Sequence, residues 1–277
     1  MECLCLECLE NRFRRDKIEI ISMQRERSQQ NAGTGVTSND RPTKPGILYV
    51  VGVPIGHLDD ITLRAIRIFR EADLIASENP AATQQLLLHH GIEAALTSYG
   101  PTNLKEKVAV LIDRLQRGAR IALVSDCGSP VIADPGRLLV ASAHSHGIQV
   151  ISVPGPSALT AAMAATGLSC DSFFFQGRLP ETKLRIRRCL ASRLKSKTPT
   201  IAFCTPTSLA LALRTIAEIA PRRVIVLACD ITKPVELIIR GTACQVQQQL
   251  DNVMTTQDIT LILTGGKAIG GGRDGKK

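Results

Sequence analysis

Three short turns rich in glycine and proline carry the residues whose types and spacing could do chemistry. They lie within Gly52–Thr62, Ser125–Gly136 and Pro154–Ala158. Glycine lets the backbone approach a ligand closely and proline makes a turn rigid, so backbone N–H and C=O groups in such turns can hold polar atoms. A single turn of this composition is common in loops and does not by itself indicate a ligand site. Three of them, each directly after an apolar run, predict one shared small-molecule site.

The chain lacks the sequence motifs of several common enzyme classes. No G-x-G-x-x-G follows the first apolar run and no G-x-x-x-x-G-K-[ST] is present, which argues against a dinucleotide enzyme or a P-loop NTPase. No Ser, His and Asp stand in an order that would support a serine hydrolase. The three turns therefore indicate a different ligand.

Positive charge is concentrated in one part of the chain. The net charge of the 277 residues is +9, and residues 169–240 hold 13 basic and 5 acidic residues. The densest stretch contains the candidate RNA-binding residues Arg178, Lys183, Arg185, Arg187 and Arg188. Such a cluster attracts a polyanion, although a solvated helix face is the alternative. Aromatic residues make up only 3% and Trp is absent, so base stacking is not the expected main mode of binding.

The apolar runs predict the elements that must position these residues. Strands are expected at 46–52, 73–76, 120–126, 148–153, 172–175, 200–204, 223–227 and 259–263. Helices are expected from residue 60 onward, with Leu63, Ile66 and Phe69 as the apolar face, and at 84–90, 104–117, 136–146, 182–196, 206–220 and 242–251. This alternation predicts an α/β fold with two successive domains, mostly parallel sheets and a ligand cleft between the domains. Ligands of such sheets bind beyond the carboxyl ends of the strands.

Composition divides the chain into four segments. We expect a disordered leader at 1–45, an N-terminal α/β domain at 46–168, a C-terminal α/β domain at 169–264 and a flexible basic tail at 265–277. The weakly polar stretch 148–168 contains a Pro-Gly-Pro turn, so no membrane span is expected.

The cysteines and the first residues favour a cytoplasmic protein. Nine cysteines, an odd number, are typical of reduced thiols. Cys3, Cys5 and Cys8 could bind a metal, but no matching Cys/His group stands elsewhere, so no metal is expected. Glu residues interrupt the first 22 positions, unlike a secretory signal.

Several motifs together resemble one family. In the first half they are Pro54–Gly56, Asp60–Thr62, Asp73–Ala76, Glu78, Ala122–Asp126, Gly128, Pro130, Asp134–Gly136 and Pro154–Ala158, and in the second half Gly177, Leu179–Pro180, Thr232–Lys233 and Arg240–Gly241. From about residue 47 to 263 the chain resembles the tetrapyrrole methylase-like (class III) S-adenosylmethionine-dependent methyltransferases. Within them it is most similar to the bacterial branch that methylates the ribose 2′-oxygen of a cytidine in small-subunit ribosomal RNA.

The resemblance implies two α/β domains, a homodimer and S-adenosylmethionine held in the cleft. It places seven residues nearest this methyl donor: Pro54, Asp126, Gly128, Val131, Ile132, Pro154 and Ser157. The partner implied is ribosomal RNA in the small subunit, with the cationic stretch supplying phosphate contacts. Glu78 and His57 are the candidate catalytic residues, since a base would assist loss of the hydroxyl proton.

Three alternatives stay open at the level of sequence. Asp126 could orient its loop, Glu78 could make a cap or turn contact and His57 could be a surface hydrogen-bonding residue.

The chain also departs from the family, for example with His57 in place of Asn and with Asn79–Ala81 in place of Asp-Thr-Arg. A non-catalytic relative that binds the donor or RNA is therefore one alternative function, and a methylase of a tetrapyrrole or another small molecule is the other.

Overall fold

The computed structural model describes residues 45–100, 104–134, 136–168, 171–250 and 258–265. The expected leader up to residue 44, with Cys3, Cys5 and Cys8, and the expected tail from residue 266 lie outside the described residues. Pro135 of the second turn also lies outside them. Within the described ranges, no helix is both long and apolar enough to cross a membrane.

The first sheet is built from the residues before position 154. Its strands are β1 (Ile47–Val51), β2 (Leu74–Ser77), β3 (Leu96–Ser98), β4 (Arg120–Val124) and β5 (Gln149–Val153). They pair in the order β3-β2-β4-β1-β5, and every pairing is parallel. The helices of this part are α1 (Leu63–Glu71), α2 (Pro80–His89), α3 (Leu104–Gln116), α4 (Arg137–Ser145) and α5 (Ala158–Ala165). The expectation of a parallel sheet flanked by helices is confirmed here.

Helices cover both faces of the first sheet. Phe69 of α1 and Leu87 of α2 pack with Val51 on one face, while Leu111 of α3 and Leu139 of α4 pack with Leu48 on the other. Each of these side chains is at most 1% exposed. The three central strands, β2, β4 and β1, are nearly continuous apolar runs because both faces are buried, which is why the sequence pattern located them well.

The second sheet departs from the expected parallel pattern. Its strands are β6 (Phe174–Arg178), β7 (Thr200–Cys204), β8 (Val224–Cys229), β9 (Leu237–Thr242) and β10 (Ile259–Leu263), and its helices are α6 (Lys183–Arg193), α7 (Pro206–Ile219) and α8 (Ala243–Leu250). The order is β6-β7-β10-β8-β9, with β6 and β7 parallel and the other three pairings antiparallel.

Chain connections explain this correction. Only residues 230–236 separate β8 from β9, too few for the crossover that a parallel pair needs, so the two form an antiparallel hairpin. Strand β10 then enters between β7 and β8 and runs opposite to both. The predicted alternation of strands and helices holds. Strands β6 and β7, joined by α6, are neighbours, whereas β7 and β8, joined by α7, and β9 and β10, joined by α8, are not.

Helix α5 links the two sheets. Its Ala162 packs with Ile201 of β7 and Val226 of β8, and Ile55 from the loop after β1 joins the same cluster. The opposite face of the second sheet is covered by α6, α7 and α8 through residues such as Leu190, Leu213 and Val246. The loop after β1 is thus anchored on the second sheet as well as the first.

Local differences from the sequence-based elements have simple causes. The buried face of α1 is Ala65, Ile68 and Phe69, whereas Leu63 is 82% exposed, so the predicted stripe was partly wrong. Thr62 caps α1 by accepting from the N–H of Ala65, and this places Leu63 in the open first turn.

Most boundaries differ from the prediction by one to three residues, the start of α2 differs by four, and three elements were not predicted. Helix α2 starts at Pro80, four residues before the predicted position, because Asn79 is its N-cap. Strand β6 begins at Phe174 instead of residue 172. The elements that the sequence analysis did not predict are β3, β9 and α5.

Candidate active site

A cavity of about 350 Å³ lies where residues from both sheets meet. From the first half it is lined by residues that follow the carboxyl ends of strands, including Glu78 after β2 and Asp126 after β4. From the second half, Arg178 ends β6 and Thr205 follows β7. The cavity therefore lies at the edge where parallel α/β sheets bind ligands.

A second cavity of about 240 Å³ adjoins the first. Ile55, Asp126, Cys127 and Asp258 line both cavities. The second cavity also contains Pro54 of the first turn, together with Val53, Gly56, Leu58, Ala82, Thr83, Gln85, Leu86 and Ser125. We refer to these two adjoining cavities together as the hollow, and their volumes are of the size that small-molecule sites occupy.

Backbone contacts bring the three turns together. The N–H of Val53 donates to the carbonyl of Gly128 over 2.9 Å, which joins the first turn to the second. A Cβ added to Gly52 would lie 2.9 Å from Cα of Gly155, so the first and third turns pack backbone to backbone. Glycine is required at both positions because no side chain fits between them.

The second turn has an unusual backbone. Gly128 has φ 77°, but Val131 (φ 77°) and Ala133 (φ 62°) adopt the left-handed region without being glycine. For a β-branched residue such as Val131 this conformation is strained, and strain of this kind concentrates at ligand sites. Ile132, between the two, is 47% exposed and lines the larger cavity.

Four carboxyl groups and one guanidinium line the larger cavity. They belong to Glu78, Asp126, Asp134, Asp258 and Arg178. Loss of water raises the pKa of each of the first three carboxyl groups above its ordinary value, and the charges of Asp126 and Asp134 raise the pKa of Glu78 further. Arg178 has its Nη2 4.0 Å from Oδ1 of Asp134 and opposes the rise in the pKa of Glu78 and Asp134.

This arrangement suits two kinds of chemistry. Four carboxylates against one guanidinium leave a net negative wall, which favours a cationic ligand. A carboxylate with a raised pKa is also a better proton acceptor near neutral pH than an ordinary one. Loss of water and the neighbouring carboxylates raise the pKa of the Cys127 thiol to about 11, so this side chain is protonated near neutral pH, and its S–H donates to the carbonyl of Ile55 over 3.5 Å.

The structure brings together most of the predicted donor residues. Asp126, Gly128, Ile132 and Ser157 line the larger cavity, and Pro54 lines the smaller one. Val131 and Pro154 line neither cavity. Among the predicted catalytic residues, Glu78 faces the cavity whereas His57 does not.

His57 has a structural role at the edge of the first turn. It caps a single 3-10 turn (Leu58–Asp60), and its Nδ1 accepts from the N–H of Asp59 over 3.3 Å. Its own N–H donates to Oγ1 of Thr232 over 2.9 Å. The imidazole is therefore not placed beside the carboxyl groups of the cavity.

The predicted RNA-binding residues occupy two places. Arg178 lines the larger cavity, whereas Lys183, Arg185, Arg187 and Arg188 lie on the exposed surface of α6. Lys183 and Arg187 pair with Glu218 of α7, at 3.6 and 2.9 Å.

Sequence reasoning missed several residues that line the cavity. Asp258 and Thr260 reach it because β10 runs antiparallel to β7, so its first residues lie at the carboxyl end of β7. Thr205 is the N-cap of α7 directly after β7. Thr205 could have been found from its place after an apolar run, but Asp258 could not, because its position depends on the reversed strand.

Comparison with known proteins agrees with the geometry. Residues 47–247 match the family of tetrapyrrole (corrin/porphyrin) methylases. A ribosomal RNA small subunit methyltransferase I from Thermotoga maritima is 39% identical over 220 residues, covering 79% of this chain and 99% of the relative. The protein of the same name from Halalkalibacterium halodurans is 42% identical over 197 residues, covering 71% of this chain and 68% of the relative.

Solved structures give the same fold. A cobalt precorrin-4 methyltransferase of cobalamin biosynthesis superposes with a TM-score of 0.60 at 18% identity, covering 79% of this chain and 94% of that one. A diphthine synthase superposes with a TM-score of 0.63 at 16% identity, covering 79% and 90%. With these matches, and with a hollow built from the ends of both sheets, the chain belongs to the tetrapyrrole methylase family and is a methyltransferase.

Proposed function

We propose that this protein transfers a methyl group from S-adenosylmethionine to the ribose 2′-hydroxyl of a cytidine in small-subunit ribosomal RNA. The observation that carries the proposal is the larger cavity, where Glu78 and Arg178 face the converging glycine-rich turns. The names of the relatives support the RNA substrate, and the 2′-oxygen of a cytidine rests on the motif resemblance alone.

The residues of the hollow fit such a donor. S-adenosylmethionine supplies an electrophilic methyl group on a cationic sulfonium, which the carboxylates of Glu78, Asp126 and Asp134 would favour. Pro54, Asp126, Gly128, Ile132 and Ser157 would hold the donor, with the strained backbone at Val131 shaping the wall. Exclusion of water from the hollow would strengthen each of these contacts.

In this proposal Glu78 accepts the proton of the attacking hydroxyl. Its raised pKa matches that task, because the acceptor and the hydroxyl then differ less in proton affinity. Arg178, which lines the same cavity, would hold a phosphate next to the target ribose, and Asp134 would orient its guanidinium. Most of the acceleration would come from bringing the two reacting atoms into line.

Three further features belong to the proposal. We expect a division into domains at 46–168 and 169–264, a homodimer, and a place in the cytoplasm where ribosomal subunits are found. Light scattering on the purified full chain would measure the dimer directly.

A transfer assay tests the function. Purified full chain is incubated with methyl-labelled S-adenosylmethionine and either small ribosomal subunits or tetrapyrrole precursors, and label in each is counted. We expect label in RNA, located by nucleoside mass spectrometry as 2′-O-methylcytidine. Label in the macrocycle would replace the proposal with a small-molecule methylase, and donor binding without transfer would replace it with a non-catalytic relative. The Arg178→Ala variant should lose RNA labelling while it still binds donor.

A further inference from the structure

Outside the two cavities, Asp59, His89 and His90 bring three metal-binding side chains together. One ligand atom from each lies within 4.8 Å of the others. Nε2 of His89 is 2.9 Å from Oδ1 of Asp59, and Nε2 of His90 is 3.1 Å from the carbonyl oxygen of Leu58. The two imidazole rings meet edge to face, with centroids 4.8 Å apart. Both Nε2 atoms point to the same 3-10 turn, because their hydrogen-bond partners, Asp59 and Leu58, belong to it.

Asp59 and the two histidines lie on two backbone segments, each of which is held in place by further contacts. Asp59 lies in the 3-10 turn that His57 caps, and His57 is in turn bound to Thr232. The histidines end α2, whose Leu86 and Leu87 are buried in the first core. The N–H of His90 donates to the carbonyls of both leucines. The ligand atoms therefore converge on a fixed framework and need little reorganisation to bind an ion.

The chemistry of the cluster suits a divalent transition metal. Two imidazoles and one carboxylate are a common ligand set for Zn²⁺ in sites that keep one position open to water. The carbonyl end of α2 adds partial negative charge near His89 and His90, which favours a cation there. The side chains of Asp59 and His89 are 67% and 45% exposed, so an ion can reach them from solvent.

The geometry points to a Zn²⁺-type site on Asp59, His89 and His90, with water as the fourth ligand. In the present hydrogen bonds each Nε2 donates to an oxygen, so binding the metal requires each Nε2 to lose that proton and leaves the neutral ring with its proton on Nδ1. The sequence did not suggest this site, because 30 positions separate Asp59 from His89.

A bound ion would join two walls of the smaller cavity. Gly56 and Leu58, just before Asp59, line that cavity, and so do Ala82 and Gln85 of α2. The ion would tie the turn to the end of this helix. We therefore expect metal binding to stiffen one wall of the hollow without adding a group to it.

Metal titration of the tag-free full chain tests this site. The chain is first stripped with a chelator, and Co²⁺ is then titrated while the visible absorption is followed, with Zn²⁺ as competitor. Because the Cys3, Cys5 and Cys8 thiols could bind these ions, the titration is run on the wild type and on a variant with all three changed to Ser. We expect one equivalent bound in the variant, with a spectrum that lacks thiolate charge-transfer bands. Any additional equivalent in the wild type should carry those bands and identify the thiols.

Substitutions at the ligands separate this site from adventitious binding. Asp59→Asn and His90→Gln, each in the Ser background, should weaken Co²⁺ and Zn²⁺ binding at least tenfold and abolish the rise in melting temperature with Zn²⁺. His144→Gln, an exposed histidine on α4, is the matched control and should bind as the background does. Equal binding in all three variants, or loss of all binding in the Ser background, would overturn the assignment. Circular dichroism of each variant establishes that it is folded.

Discussion

The backbone N–H of His57 donates a hydrogen bond to Oγ1 of Thr232 over 2.9 Å, although 175 positions separate the two residues. This bond joins the turn after β1 to the turn after β8, and so connects the two halves of the chain beside the smaller cavity. Thr232 itself has φ 67° and Asp230 has φ 47°, both in the left-handed region. Lys233 holds this turn through ion pairs with Asp230 and Asp258.

Removing the acceptor at Thr232 should loosen this connection. Thr232→Val keeps the shape of the side chain but cannot accept from His57, so we expect the free energy of unfolding to fall by about 0.5–1.5 kcal/mol. Thr232→Ser keeps the hydroxyl and should retain most of that stability. Urea unfolding of both variants measures the difference. Equal stability of the Val variant and the wild type would mean that water replaces the bond without loss.

Gly56 allows the same two turns to approach closely. A Cβ at this position would lie 2.6 Å from Oγ1 of Thr232 and 2.7 Å from the carbonyl oxygen of Ile231. Gly56→Ala must therefore push the turns apart, and we expect a loss of about 1–3 kcal/mol together with weaker donor binding.

The matched control for Gly56 is Gly100. Among the described residues, its added Cβ would meet only the carbonyl oxygen of Glu78, at 3.8 Å. Gly100→Ala should be neutral or stabilising by up to about 1 kcal/mol. Thermal unfolding and donor titration on both variants make the comparison, and similar losses in the two would contradict the packing argument.

The proposed role of Glu78 makes methyl transfer depend on pH. If Glu78 accepts the hydroxyl proton, methyl transfer should increase as the pH rises through its raised pKa, and Glu78→Gln should lower kcat about 10²-fold or more and remove this dependence. Single-turnover transfer at several pH values, with donor affinity measured in parallel, checks it. A Gln variant with the wild-type pH profile would assign the proton to another group.

The same side chain affects stability with a defined sign. Burial and neighbouring acids raise the pKa of folded Glu78 above the ordinary 4.5, so its ionised form is less favourable in the folded than in the unfolded chain. The contribution of Glu78 to the free energy of unfolding is therefore most favourable below pH 4.5. It is lost as the pH rises through the pKa of Glu78 in the folded chain. We expect Glu78→Gln to be more stable than the wild type at pH 7, with the difference vanishing in acid. Urea midpoints at both pH values measure this.

The cations of α6 should differ in their contribution to RNA binding. Glu218 already pairs with Lys183 and Arg187, whereas no ion pair is found for Arg185 and Arg188 among the described residues. Changing Arg185 and Arg188 to Gln should therefore lower affinity for small-subunit RNA more than the same change at Lys183 and Arg187. The slope of log affinity against log salt should fall by about 1 for each phosphate that the variant no longer neutralises.

Glu218→Gln is the complementary variant for this surface. Releasing Lys183 and Arg187 from their partner should raise RNA affinity and steepen its salt dependence. Binding titrations at several salt concentrations compare the three variants. Identical slopes for all of them would place the RNA on a different surface.

The sequence predicted the buried parallel strands well, because their apolar runs and glycine stops are local signals. Strand β9 was missed because it lies at the edge of its sheet, where Arg240 is exposed and the apolar run is interrupted. The reversed entry of β10 could not be predicted, since it depends on which strands pair and not on any residue in the segment.

The residues of the site also divide into those with a local sequence signal and those that depend on which segments meet in the fold. Pro54, Asp126, Gly128 and Ser157 were found because the turns that carry them follow recognisable strands. Asp258 and the His89–Asp59 contact were not, because only the folded chain brings those segments together. His57 was a candidate base because it stands where the family has Asn, and the structure shows its ring accepting from the backbone N–H of Asp59, as in the alternative of a hydrogen-bonding surface residue.

The contact between Gly52 and Gly155 limits how this enzyme can be redesigned. A methyl group on Gly155 would lie 2.6 Å from the carbonyl oxygen of Gly52, and one on Gly52 would meet Gly155 in the same way. Changing one cannot make room for changing the other, so neither glycine can be replaced alone or together with its partner. An engineer who wishes to enlarge the larger cavity must therefore change lining side chains that are not assigned to the donor, such as Leu159 and Phe203, and leave the crossing of these two backbones intact.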